Sequence, residues 1–115
     1  MTAITHWSLG NGESIPFEIY GRNDGWNDVP GLYIFSFIRA GCWRALYIGQ
    51  AASFQERLPN HERLEEAVRN GATHIHVMVV GQQAKRNVWE RMLIQTHQPP
   101  LNTQHRNGLS RSLLP

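Results

Sequence analysis

Several things are scarce in this chain, and each scarcity removes a class of protein. There is one cysteine, Cys42, in 115 residues, so no disulfide can close within the chain and a reducing compartment is expected. No run approaches the ~20 apolar residues that a membrane span requires. The first residues lack the basic-then-apolar pattern of a secretory leader. A cytoplasmic protein with no membrane partner is the expectation. No repeat or low-complexity segment is visible, which leaves one domain as the economical description. Charge is sparse too: 17% of residues are charged and the formal net charge is +2, too little for a polybasic nucleic-acid coat.

What is present fits a small soluble α/β domain. One hundred and fifteen residues, 41% of them apolar, suffice for one modest core. The charge is unevenly spread. Residues 1–50 hold three arginines against four acidic groups, whereas from Val80 onward Lys85, Arg86, Arg91, Arg106 and Arg111 face Glu90 alone. A basic C-terminal third can meet phosphates, or it can be an ordinary solvated helix face and tail.

The chain divides into an N-terminal extension over 1–30, a main domain over 31–102 and a basic, flexible tail over 103–115. Within the extension, Ile15–Tyr20 alternates well enough for a strand, and Pro16 places it at an edge. The loop-like stretch 21–28 follows. Strands are expected at about 31–38 and 44–49, joined through Arg39–Trp43. With the turn centred on Ala40, Tyr33 and Tyr47 lie opposite each other on one face. Ser53 and Glu56 read as a capping box for a short helix over 53–58, which Pro59 ends. A second helix spans about 60–70. Ala72–Val80 reads as a strand with Ile75, Val77 and Val79 on one face and His74, His76 and Met78 on the other. Two histidines at that spacing can grip a metal, but no third ligand is at hand. Gln82–Gln98 is the long helix, with Val88, Trp89, Met92, Leu93 and Thr96 as its apolar stripe. Pro99-Pro100 ends it, and Leu101-Asn102 begins an extended tail. The fold class is thus α/β: a small, mainly antiparallel sheet of three to four strands flanked by helices.

The motifs are Gly31-Leu32-Tyr33, then Leu46-Tyr47-Ile48-Gly49-Gln50, then Arg57, His61, a helical Glu90, and Asn102 after a proline pair. In this order and spacing they resemble the GIY-YIG nuclease domain, from about Gly31 to Asn102. Leu32 stands where the first motif has isoleucine, a volume-conserving change. The interval between the tyrosines is slightly longer than in the shortest members, and a module without a separate DNA-targeting domain is the expectation.

The resemblance implies a divalent-metal-dependent DNA endonuclease leaving 5′-phosphate and 3′-hydroxyl ends. Its catalytic set would be Tyr33, Tyr47, Arg57, His61, Glu90 and Asn102, converging on one concave surface. Glu90 would hold a single Mg²⁺ or Mn²⁺, a hard cation suited to one carboxylate plus waters. Arg57 offers a planar fork that matches phosphate. Tyr33 would be the general base, with His61 taking its proton. Tyr47 would shape the same face, and Asn102 would fix substrate or Glu90 by amide bonds. Arg57, Lys85, Arg86, Arg91 and Arg106 would meet duplex or branched DNA, with a homodimer or a targeting partner protein supplying selectivity. Taken singly, each residue also admits a plain role: tyrosines pack, Arg57 can pair with Glu56 or Glu62, and Glu90 can be a surface glutamate. The rival reading is a non-catalytic module that keeps the fold to bind nucleic acid or protein.

Overall fold

In a computed structural model describing residues 2–102, five antiparallel strands form one sheet in the order β1-β2-β5-β3-β4. They are β1 (Ile4–Ser8), β2 (Ser14–Gly21), β3 (Gly31–Arg39), β4 (Cys42–Ala51) and β5 (His74–Val79), with helices α1 (Phe54–Arg57), α2 (Glu62–Arg69) and α3 (Gln83–His97) between and after them. Five strands exceed the three to four expected. The excess comes from the N-terminal residues: β1 pairs with β2, and β2 with β5. Trp7, Leu9, Ile15 and Phe17 are buried with Leu32, Ile34 and Ile48. The hairpin is therefore part of the core, and its polar, irregular sequence hid β1 from pattern reading.

Pro16 does not make β2 an edge. Its register partner is His6 on β1, while β2 pairs with β5 only from Glu18 onward. The Ile19 amide donates to Ala3 on the β1 side, so by strand alternation the donor that proline lacks would face the other way, beyond the paired part of β5.

The two faces of the sheet bury different partners. Tyr33, Phe35, Ile75 and Val77 pack with Phe54, Leu58 and Ala67 of the α1–α2 side. Leu32, Ile34 and Ile48 pack with Leu93 of α3. The alternation of β5 is as expected, but Val88 of α3 is 44% exposed and leaves the apolar stripe. Asn102 donates its amide to Pro99, and Pro100–Asn102 are helical rather than extended. Gln98 makes the break before them with φ of 46°. Among the described residues no helix is long and apolar enough to cross a membrane. The expected tail over 103–115, with Arg106, lies outside the described residues.

The β3–β4 hairpin decides the geometry of everything that follows. Its turn is Ala40-Gly41, both at positive φ (51° and 79°), the geometry that two-residue hairpins favour. Arg39 then opposes Cys42 and Ser36 opposes Ala45. Continued unbroken, that register would set Tyr33 against Ile48 and turn Tyr47 to the α3 face. Instead a bulge inserts Leu46, so Phe35 opposes Tyr47 and Tyr33 opposes Gly49. The two tyrosines share a face as expected, though staggered by two residues rather than directly opposite.

His76 on β5 is fully buried. Its Nδ1 accepts from the Trp7 indole at 3.0 Å, and its Nε2 lies 3.1 Å from the Ser36 hydroxyl. An indole can only donate, so Nε2 carries the ring proton and donates to Ser36. Both nitrogens are occupied, and the histidine pair with His74 is no metal grip. Burial lowers the His76 pKa from 6.5 to about 4. The unfolded chain therefore binds a proton that the folded one refuses, and stability present above pH 6.5 drains as pH falls towards 4. Each such histidine contributes a slope of at most about 1.4 kcal/mol per pH unit. Denaturant titrations between pH 7 and 4 should show His76→Gln with a shallower loss than the parent; an equal slope would mean that His76 titrates normally.

Candidate active site

The hydroxyl of Tyr33 is the centre of the site. Tyr33 projects from β3 across β4, and a Cβ placed on Gly49 would stand 2.5 Å from its oxygen. Gly49 is thus required by close approach, not by unusual backbone. Gly31 has the same reason: a Cβ there would meet the Met78 carbonyl and the Phe54 ring at 2.1 and 2.6 Å. Both motif glycines make room for something that crosses the strand.

His61 closes the site from the α1–α2 side. Its ring stands edge-on to Tyr33, Phe35 and Tyr47, with centroids 5.1–5.3 Å away. Ser53 caps α1 by accepting from the Glu56 amide. Pro59 and Asn60 then separate α1 from α2, whose N-cap is His61 itself: Nδ1 accepts from the Arg63 amide at 3.0 Å. Nε2 lies 2.7 Å from the Tyr33 hydroxyl. Burial, with the Arg57 charge next, lowers the His61 pKa to about 4, so the ring is neutral at pH 7. Because Nδ1 accepts, Nε2 bears the only ring proton and donates it to Tyr33. This corrects the expectation that His61 takes the Tyr33 proton. The tyrosine oxygen receives a hydrogen bond, and its own proton must point elsewhere.

Tyr33 is 1% exposed, and burial raises its pKa well above 10. Tyr47 and Glu90 add to the rise, while Arg57 opposes it by charge and hydrogen bonding. Tyr47 is half-buried, with its pKa raised by burial and then by Glu90. Both phenols are neutral in this arrangement. Arg57 makes a two-toothed bridge to exposed Glu62, at 3.1 and 3.3 Å, the pairing that sequence left open. It holds the Glu62 pKa down to about 2. A bridge this open to solvent is worth at most about 1 kcal/mol, little enough for a phosphate to replace.

Glu90 comes from α3, which packs on the other face, and its carboxylate sits by Gln50 on the outer strand β4. Gln50 donates 2.7 Å bonds to Glu90 and Asn87 and accepts from Arg86 at 3.2 Å. With both ends of its amide engaged, Gln50 has one orientation and aims the Glu90 carboxylate. Burial raises the Glu90 pKa. Rather than one hollow, two clefts flank β4: Asn87, Glu90, Arg91, Ile94 and Gln95 line one, and Tyr47 with Arg57, Arg63, Arg69, Glu62 and Glu66 the other. The Glu90 charge still reaches across β4, adding to the upward shift that burial gives both phenols.

Two expected site residues have other duties. Asn102 is buried and pairs with the backbone of Ile48, accepting from its amide at 2.7 Å and donating to its carbonyl at 2.9 Å. It acts as a stub of a sixth strand on the outer edge of β4, and holds neither Glu90 nor an open face. Arg86 is 7% exposed and donates to the carbonyls of Val80 and Gly81, so it fastens the entry to α3 instead of meeting phosphate. Lys85 lies over Trp89, 5.3 Å from the ring centre, and Arg91 borders Glu90. Sequence reasoning missed Gln50, Arg63 and Arg69. Gln50 adjoins the second motif, but the arginines carry no signal until α2 is set beside Tyr47.

The donor set around Glu90 suits a small divalent cation that keeps most of its waters: one hard carboxylate, with the Asn87 and Gln95 amides beside it. Among the described residues no three His, Cys, Asp or Glu side chains gather as an all-protein cage. No family model matches the chain, and no curated protein or solved structure gives a significant match.

Gly49→Ala tests the close approach. The added methyl must displace the Tyr33 ring, and overpacking of this kind costs about 1–3 kcal/mol. A thermal melt should fall by several degrees and the Tyr33–His61 bond should be lost, seen as a change in the His61 Nε2–H resonance by NMR. A variant that melts like the parent with that resonance unmoved would place Tyr33 elsewhere.

Proposed function

We propose that the chain is a divalent-metal-dependent endonuclease of GIY-YIG type, hydrolysing DNA phosphodiesters to 5′-phosphate and 3′-hydroxyl ends. One observation carries the reading. A phenol, Tyr33, accepts a hydrogen bond from a histidine locked as donor, lies next to an arginine, and stands across one strand from a half-buried carboxylate. Packing alone gives no reason for those four groups to share a strand edge.

The residues divide the work as follows. Phosphate enters over Tyr47 and draws Arg57 from Glu62, trading a weak exposed pair for charge-assisted bonds to the scissile group. Arg69, and Arg63 once drawn from its salt bridge with Glu66, lie along the same cleft and would hold the flanking backbone. To act as base Tyr33 must first release its proton to solvent, since His61 already donates to its oxygen. The His61 donor and the Arg57 cation favour the phenolate, while burial and Glu90 oppose it. Glu90, with the Asn87 and Gln95 amides beside it, would hold a divalent cation, which would supply Lewis-acid chemistry and offset the Glu90 charge. Gln50 fixes the carboxylate for that task. Asn102 keeps β4 straight beneath Tyr47 and works through the strand, not on substrate.

A supercoiled-plasmid nicking assay with and without Mg²⁺ tests the activity. Glu90→Gln keeps the Gln50 bond and removes a half-buried charge, so it should melt at or above the parent's temperature while nicking drops by at least about 10²-fold. DNA binding should be retained or strengthened. Tyr33→Phe should fold, bind and lose about 10²–10⁴-fold in turnover, the span of general acid–base effects. If Tyr33→Phe nicks at the parental rate, the base is Tyr47, the more exposed phenol. If the parent nicks nothing with Mg²⁺ or Mn²⁺, the non-catalytic binding module takes the place of the nuclease.

A further inference from the structure

A second feature lies farther along the same strand. Beyond the bulge, Trp43 and Arg44 of β4, Phe37 and Arg39 of β3, Trp7 of β1 and His97 of α3 line a groove of about 390 Å³, within the range of small-ligand sites. Trp7 is buried and Trp43 half-buried. Trp43 is held edge-on by His76 at 4.5 Å and by His74 at 5.1 Å, so its ring is fixed in place. His97 donates to the Ser8 carbonyl at 2.8 Å and stands perpendicular to Trp7 at 5.0 Å. Both arginines are exposed, and the lining includes no carboxylate. A fixed indole beside two exposed arginines, with no carboxylate among the described lining residues, suits a ligand that has a flat ring and a phosphate at each step.

We propose that this groove binds single-stranded nucleic acid, with an unpaired base stacked on Trp43 and its phosphates on Arg39 and Arg44. Stacking needs a base free of its pair, which excludes intact duplex. Trp43 and Tyr47 are four positions apart on β4, at most roughly 13 Å at ~3.3 Å per residue, but Trp43 packs on the α3 side and Tyr47 on the α1–α2 side. A strand passing from the groove to Arg57 therefore crosses β4 at the bulge. Resting on the nuclease reading, the inference names its substrate class: DNA with a single-stranded arm or flap next to the cut.

The test separates the groove from the chemistry. Oligothymidine is titrated into the full chain in EDTA, with tryptophan fluorescence and anisotropy as readouts, and repeated over a range of salt. The parent should bind with quenching. Trp43→Leu should bind about 10-fold more weakly, as loss of one stacked base predicts. Because Trp43 touches the core, Arg39→Gln with Arg44→Gln serves as a folded control. It should give a log–log salt slope shallower by about 1.4, from ~0.7 per phosphate on single strands, while duplex-plasmid nicking stays near the parental rate. Parental affinity and slope in the double-arginine variant would overturn the proposal. So would failure of the parent to bind oligothymidine, leaving the groove to a protein partner. A chain that binds oligothymidine through the groove but nicks nothing keeps this inference and loses the nuclease; a nuclease indifferent to both variants does the reverse.

Discussion

Tyr33 and Tyr47 meet because of one extra residue. The Ala40-Gly41 turn fixes a register in which the second motif would turn its tyrosine towards α3, and Leu46 corrects it by one residue. A bulge costs a ladder position and leaves one residue unpaired. Here Leu46 offsets the loss by burying its side chain with Phe35 and Leu58. His61 can sit edge-on to three rings only because all three are on that face. Its cap of α2, its donation to Tyr33 and its low pKa all follow from this placement.

Around that hairpin, polar groups are satisfied in pairs that leave little freedom. The Arg63 amide sets the His61 tautomer, and the Trp7 indole sets that of His76. Arg86 orients Gln50, and Gln50 orients Glu90. In the first three a group that can only donate fixes one that can do either, so the tautomers of His61 and His76 follow from geometry; Gln50, once fixed, presents its NH2 to the Glu90 carboxylate. Arg57 is the exception. Its exposed bridge is the weakest link in the site, and therefore the one that an arriving anion can replace.

Outer strand β4 is used along its whole length. Asn102 covers it at Ile48, where an open strand edge would otherwise invite pairing with another chain. Tyr47 and Gln50 present its two faces to the two clefts, and Trp43 and Arg44 line the groove near the turn. The N-terminal hairpin supports that distal end through Trp7, which explains why a segment outside the motif region is built into the sheet.

Much of this was legible in the residues themselves. Ser53 and Glu56 marked the start of α1, Pro59 its end, and the alternation of Ile75 and Val77 marked β5, because capping and period two are local rules. The motif glycines and tyrosines could be picked out, and the shared face of Tyr33 and Tyr47 was anticipated, though from a simpler turn. What local rules do not contain is who stands opposite whom. Strand β1 was missed since its partner, not its pattern, makes it a strand. The direction of the His61 proton depends on the Arg63 amide and the duties of Asn102 and Arg86 on distant carbonyls. Arg63 and Arg69 join the site only once α2 lies beside β4. Sequence by itself determined which groups were chemically able to act. Tertiary packing decided which of them face one another, which already have partners, and which are left for something to bind.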